Sequence, residues 1–389
     1  MAEEQITTDV EVERPLPPRV AIIASRRTLD EYALYLKYLL VGLADESVPV
    51  LLVCPPLPGV DAIVPPAVEV VRHPALDVRF LERYNLRILL GRLNEFQPDL
   101  IHCLCESKAA LARWLARHLE LNYLLNLNSI VSRLQLLSLS SARCAAIVAP
   151  AKTIADNFSA GHPKFADRVR QINIGVFVPN TAACFARPER VTSIVISHPP
   201  DNPGDLENLF RALHRLVVEN YDFLVALIGA GRSESRIRKQ LVSMGLFRVV
   251  TIVPRLPGLD SALSSTDIFI VPRPFTGFNS LLLAAMSAGC AVAACAGGVD
   301  DLIIDGKTAI VFNPDDQLSI YNCLKRLFDA RELALQIASG AQQHLRQNHH
   351  VSDMVASTLQ LYRQAACLDS PSSARRARPS VPRAESPAA

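Results

Sequence analysis

The stretch VPRPFTGFNSLLLAAMSAGCAVAACAGGVDDLI, from Val271 to Ile303, holds the residues best placed to do chemistry. A turn carrying Gly277 and Phe278 leads into two adjacent capping residues, Asn279 and Ser280, and then into an apolar run of helical length. Free N–H groups at such a helix start, approached closely through glycine, suit a phosphate or diphosphate. Arg273, just upstream, is a cation able to pair with one. The same parts also make a plain capped strand-to-helix turn that needs no ligand. Between Val271 and Val299 there is no Asp or Glu, so that part of the stretch has no acid to grip a hydroxyl or move a proton. Two arginines, Arg26 and Arg27, follow the apolar run RVAIIAS at the start of a helical segment, where cations oppose the positive end of the macrodipole. They read either as an anion-binding pair facing a cleft or as solvated side chains. In HCLC, His102, Cys103 and Cys105 could suggest a metal, but no second ligand pair follows at zinc spacing. Small buried hydrophobes are the alternative reading of these cysteines, and no metal is expected. Gly229 and Gly231 in GAGRSE lack the third glycine of a dinucleotide fingerprint, so no NAD site and no cofactor are expected.

Elements of regular length must carry these residues. RVAIIAS reads as a buried strand, and LDEYALYLKYLLVGLADE as a helix with Leu29, Ala33, Leu36, Leu39, Leu40 and Leu43 at helical spacing. VPVLLVCPP, VEVVRHP, PDLIHCL and NYLLNLN continue as strands; LRILLGRLNEFQ and SKAALARWLARHLEL are helical, the second opened by Ser107 as a cap. After the proline-containing FVPNTAACFARPER, the strands VTSIVISHPP, DFLVALIGAGRSE, VVTIVPRL, DIFIVPR, CAVAACAGG and TAIVFNP resume the alternation with helices such as DLENLFRALHRLVVEN, ESRIRKQLVSMG and NSLLLAAMSAG. Strands and helices alternating at these lengths imply parallel βαβ units. The expected fold is α/β, two tandem doubly wound Rossmann-like domains with a cleft between them, ligands lying beyond the carboxyl ends of the strands. The expected division is a flexible tail over 1–18, domains over 19–185 and 186–349, a last helix over 350–368 returning to the first domain, and a tail disordered by composition over 369–389.

Composition narrows the function classes. A chain of 389 residues, half hydrophobic and one fifth charged, has material for about two domains. A net charge of +2 offers no broad phosphate-tracking surface, so no nucleic-acid partner is expected. Nine cysteines, an odd number without framework spacing, fit a reducing compartment. The acidic start has neither the positive region nor the apolar region of a signal peptide. No apolar run approaches the ~20 residues of a membrane span. A cytoplasmic protein is expected, with a peripheral membrane contact still open; Arg375, Arg376 and Arg378 would either meet an anionic surface or simply be solvated.

From Asp267 to Asp316, DIFIVPRPFTGFNSLLLAAMSAGCAVAACAGGVDDLIIDGKTAIVFNPDD resembles, in order and almost without gaps, the second domain of family-4 GT-B glycosyltransferases. The resemblance extends over roughly residues 19–368. It implies a nucleotide-sugar donor held by the second domain, a glycan or lipid acceptor of unknown identity on the first, and transfer with retention of anomeric configuration. Carried over residue by residue, it also marks departures. The two glutamates of the family's E-x7-E motif fall on Thr276 and Ala284; the phosphate-binding Arg and Lys fall on His198 and Pro203, with Gly204 kept; the histidine near the reacting sugar falls on Asn128. Backbone groups at Arg255 and Leu256 correspond to the base-reading segment. Gly297, Gly298 and Asp301 keep the Gly-Gly turn and an acid after it. Thr276 and Asn128 are therefore the weak catalytic candidates, and the donor-binding candidates are His198, Gly204, Arg255, Leu256, Arg273, Gly277, Phe278, Asn279 and Ser280. Loss of so much preorganised charge opens a second reading, a catalytically inactive relative that binds or scaffolds in glycan synthesis.

Overall fold

A computed structural model describes residues 17–367 other than 58, 74–81, 133–136, 188, 198–202, 230 and 255–261. Both terminal tails, with the arginines at 375, 376 and 378, lie outside the described residues, as do His198, Arg255 and Leu256.

Apolar runs of four to six residues become strands buried on both faces, as parallel sheets require. The first half contains β1 (Val20–Ile23), α1 (Arg26–Glu31), α2 (Ala33–Asp45), β2 (Val50–Cys54), β3 (Glu69–Arg72), α3 (Glu82–Phe96) and β4 (Leu100–Cys103). It continues through α4 (Ala109–His118), β5 (Asn122–Asn126), β6 (Cys144–Ala149), α5 (Lys152–Gly161) and β7 (Val169–Gln171). The strands form one parallel sheet in the order β3-β2-β1-β4-β5-β6-β7. Then come β8 (Thr192–Ser197), α6 (Glu207–Val218), β9 (Phe223–Ile228), α7 (Glu234–Ser243), β10 (Val250–Val253) and β11 (Ile268–Val271). Next are α8 (Ser280–Ala288), β12 (Ala291–Ala294), β13 (Ile310–Val311), α9 (Gln317–Asp329), α10 (Arg331–Asn348) and α11 (Val351–Cys367). Their strands form a second parallel sheet, β10-β9-β8-β11-β12-β13. Each order reverses direction once, between β1 and β4 and between β8 and β11, and those two crevices are where a doubly wound sheet binds.

Two details differ from the sequence reading. The first helix is broken at Tyr32, whose φ of −119° and ψ of 26° separate α1 from α2. Ser107 does not cap α4; that helix begins at Ala109 with Lys108 before it, and the Ser107 hydroxyl turns back to the Cys105 sulfur. Strands β6 and β7 and helix α5 extend the first sheet beyond the strand at NYLLNLN.

Helix α11 crosses back to lie on α2 and β5, and Asn122 at the start of β5 donates to the Ala365 carbonyl at 2.9 Å. A buried polar chain ties it there. His102 on β4 meets Asn126 Oδ1 through Nε2 at 2.7 Å and Tyr362 Oη through Nδ1 at 2.6 Å. Asn126 donates to Tyr35 at 2.9 Å, which leaves its Oδ1 as the acceptor of a proton on His102 Nε2 and makes Nδ1 the acceptor from Tyr362. Burial lowers His102 to about 4, so the neutral ring is the one the network needs. His102 is thus a structural hydrogen-bonding residue, and no cluster of three or more His, Cys, Asp or Glu able to hold a metal occurs among the described residues.

Candidate functional site: the interdomain cleft

Helix α8 joins the two halves. SLLLAAMSA carries no charge, and a helix apolar all round must be buried all round. Leu281 through Ser287 are all buried, and Phe278 with Leu281–Met286 belongs to the same core cluster as β1, β4, α2 and α11 of the first half. Ala284 lies inside this core.

The turn before α8 docks on the loop after β5. Ile130 N–H donates to the Thr276 carbonyl at 2.8 Å and Phe278 N–H to the Asn128 carbonyl at 2.8 Å, forming an antiparallel bridge between Ser129 and Gly277. Tyr32, at the α1–α2 break, donates its hydroxyl to the Phe278 carbonyl at 3.0 Å. Ser280 Oγ donates to the Glu31 carbonyl, and Asn279, not Ser280, caps α8 by accepting from Leu282 N–H at 3.0 Å. A Cβ on Gly277 would stand 3.2 Å from the Asn128 carbonyl oxygen and 3.4 Å from Arg27 Nη2, so the glycine permits the close docking of the two halves.

The sequence candidates are distributed unequally around this contact. Arg27, Asn128, Thr276, Gly277, Phe278, Asn279 and Ser280 are brought together. Arg27 pairs with Glu31 at 2.7 Å and reaches Glu106 at 4.0 Å; burial opposes its charge, but the Glu31 hydrogen bond and the two carboxylates hold the guanidinium above its ordinary range. Arg26 instead makes an exposed pair with Asp30 at 3.5 Å. Asn128 is buried, its amide donating to the Leu104 carbonyl at 2.8 Å, so its side chain serves the first domain's own backbone. Thr276 is exposed. Arg273 lies apart, donating to the Asp205 carbonyl at 3.0 Å and to Asp315 at 2.5 Å, beside the short 3-10 turn Pro203–Leu206 that contains Gly204.

Two acids at the contact carry weight the sequence reading did not give them. Glu106, mostly buried, accepts from Ser129 Oγ at 2.6 Å and from Asn128 N–H at 3.2 Å; the one signal for it was an acid just past a strand end at the switch point. Asp301 accepts from Thr153 N–H at 3.1 Å, and so caps α5 of the first half from the second, where Ala151 supplies no side-chain cap. Gly298, in the same Gly-Gly turn, bridges Phe275, so this turn is required by the fold.

Residues 195–330 match the family model described as Glycosyl transferases group 1. The chain superposes on a glycosyltransferase from Rickettsia africae with a TM-score of 0.74 at 13% identity, covering 90% of this chain and 98% of that one. The chain has the GT-B fold. Two other GT-B neighbours are HepE from Anabaena in complex with UDP and glucose, with a TM-score of 0.70 and 14% identity over 89% of this chain and 100% of that one, and sucrose-phosphate synthase from Thermosynechococcus elongatus, with a TM-score of 0.69 and 17% identity over 89% and 98%. At such identities the likeness concerns the GT-B fold itself. No curated protein matches the chain in sequence.

In this GT-B chain, the Tyr32 hydroxyl is the clearest single handle on the contact. Tyr32→Phe should cost about 1–2 kcal/mol, because it leaves the buried Phe278 carbonyl without that donor. Urea unfolding reads this directly, and a change below ~0.5 kcal/mol would count against the hydroxyl as a fastener.

Proposed function

We infer that this chain acts as a catalytically silent GT-B protein, a binding or scaffold component of glycan synthesis. The observation carrying this reading is the backbone bridge between Asn128–Ile130 and Thr276–Phe278. It commits to contact within the chain the N–H of Phe278 and the turn that a donor diphosphate would approach, and no carboxylate stands at Thr276 or Ala284 to hold sugar or ribose hydroxyls. Deleting one preorganised donor commonly costs about 3 kcal/mol of transition-state stabilisation, so an unchanged transfer mechanism is disfavoured by several such losses together. The division into an acceptor-side domain (19–185), a nucleotide-sugar-side domain (186–349) and a returning helix belongs to the same reading. So does a cytoplasmic location, with which the lack of any helix long and apolar enough to cross a membrane among the described residues is compatible.

A second reading is transfer of a sugar from a nucleotide sugar to a glycan or lipid acceptor, with retention. It is favoured by the family match and by the UDP and UDP-glucose complexes of the HepE neighbour. Melting with a panel of nucleoside diphosphates and nucleotide sugars at millimolar concentration, together with an assay for released nucleoside diphosphate, separates the two. The silent reading expects no release above buffer. A ligand bound with a Kd near 10 µM would add about 2.7 kcal/mol at 1 mM and raise Tm by roughly 2–4 °C. Release that disappears in Thr276→Ala would establish donor turnover and end the silent reading.

A further inference from the structure

The chain crosses between the two halves twice, and the two crossings are tied together. The connection after β7 runs beside the elbow between α10 and α11. Val176 N–H donates to the His349 carbonyl at 2.9 Å, and His349 Nδ1 meets the Ile174 carbonyl at 2.8 Å. Asn173 Nδ2 donates to the Asn348 carbonyl at 3.0 Å. Gly175 permits this closeness, because a Cβ there would stand 2.5 Å from Val351 Cα. Between these crossings and the end of α2 is a groove of about 590 Å³. Val176, Val351 and Val355 are part of its apolar lining, and so is Phe177, although it is 65% exposed. Its charged and polar walls differ. Asp45 and Glu46 stand on the α2 side, where they form no ion pair among the described residues. Arg346, which donates to the Pro179 carbonyl at 2.6 Å, and His350 stand on the elbow side.

We propose that this groove is the docking site of the chain's own N-terminal segment, with Val10 and Val12 on its apolar lining. Residues 1–16 lie outside the described residues, but the place where they join the fold is fixed. Arg19 N–H donates to Asp99 Oδ2 at 2.8 Å, and Val20 N–H donates to the Pro49 carbonyl at 2.9 Å. Pro49 follows Glu46 by three residues, so the segment enters the fold close to the acidic wall of the groove. Sixteen residues of extended chain reach ~50 Å, far more than the groove requires.

The order of charges in DVEVERPL matches the order of the walls. Arg14, the segment's one cation, is three residues before Pro17 and therefore nearest to Asp45 and Glu46. Val12 and Val10 come next; two residues apart in extended chain, they share one side. Asp9 and Glu11 lie further along, toward Arg346 and His350. A partner with the opposite order of charges would set like against like on both walls, which costs rather than stabilises. Because the groove is built from α2, the connection after β7 and the elbow before α11, its occupant would touch the first half and both crossings. The segment is thereby a third tie between the halves, alongside the cleft bridge and the bonds between the crossings. This role does not depend on how the cleft is used.

The test follows the full chain with a glutamate-specific protease and by hydrogen exchange. A tethered segment meets its groove at an effective concentration of ~1 mM, so a site holding the free peptide with a Kd of ~0.1 mM would be filled about ten-fold more often than empty. Cleavage after Glu11 and Glu13 should accordingly be about ten-fold slower in the full chain than in Phe177→Ser, whose segment is unchanged. In the converse comparison the groove is unchanged. Val12→Asp should speed amide exchange across residues 351–353, the first turn of α11, whose N–H groups have no acceptor within the helix. Equal cleavage in the full chain and a folded Phe177→Ser, or exchange across 351–353 that Val12→Asp leaves unaltered, overturns the proposal. Protection that fades on dilution would assign the groove to a second copy of the chain and overturn it equally. The Val12→Asp comparison changes no residue of the packed halves, so it stands even if Phe177→Ser does not fold.

Discussion

Gly298→Ala should destabilise the chain by at least about 3 kcal/mol, from two additive causes. The residue has φ +73°, the left-handed region that L side chains rarely adopt. Its Cβ would also stand 2.2 Å from the Phe275 carbonyl oxygen and 2.9 Å from its carbon. Those are backbone atoms, so no rotamer change relieves the clash, and the turn itself must move. Phe275 precedes Thr276, whose carbonyl accepts from Ile130 across the cleft, so the displacement is transmitted to the bridge. Gly297→Ala is the control. Gly297 is also left-handed at φ +107°, but the nearest heavy atom to its Cβ would be Pro274 Cγ at 3.5 Å. It should therefore cost only the conformational part, about 1–2 kcal/mol. Urea unfolding of both variants reads the difference, and equal losses at the two positions would show that the clash at Phe275 is absorbed.

Acid should remove about 3 kcal/mol of stability through His102 alone between pH 6.5 and about 4, at about 1.4 kcal/mol per pH unit. The sign follows from proton counting. Below 6.5 an unfolded chain protonates this imidazole, while the folded chain keeps it neutral down to about 4. The unfolded state therefore binds more protons throughout that window, and stability falls as pH falls. Above 6.5 both states are neutral and the term vanishes. His349, also lowered by burial, acts in the same direction, so the useful comparison is between wild type and His102→Gln. The variant should be less stable at neutral pH, because it disturbs the hydrogen bonds to Asn126 and Tyr362, and its pH dependence should be shallower by one proton. Urea midpoints at pH 7, 5.5 and 4.5 measure both effects. Parallel pH profiles for the two proteins would mean that His102 does not stay neutral in the fold.

Much of the architecture was legible in the chain because it rests on local regularity. Apolar runs of four to six residues can only be buried strands when helices of crossover length separate them, and the Gly-Phe turn with Asn279 after it announces a capped helix. The break at Tyr32 was not legible. Its neighbours keep helical spacing on both sides, and the break is accompanied by a hydroxyl reaching Phe278, 246 residues away. The false cap at Ser107 has the same origin. Its hydroxyl had a competing partner, the Cys105 sulfur, which the capping pattern does not reveal.

The site divides along the same line. Which residue types stand at Thr276, Ala284 and Asn128 is a property of the sequence, and so is the absence of any acid between Val271 and Val299. Through the resemblance, those residue types are what support the proposal that the usual charged grip on a nucleotide sugar is missing there. Only the tertiary structure decided what surrounds them. It put α8 in the core shared by both halves, paired Thr276–Phe278 with Asn128–Ile130, turned Asp301 into a cap for α5, and set Glu106 beneath the bridge. The physical reason is range. Periodicity and capping act within a few residues, whereas these contacts join residues that become neighbours only when two sheets close on one helix, and no local pattern encodes which face meets which.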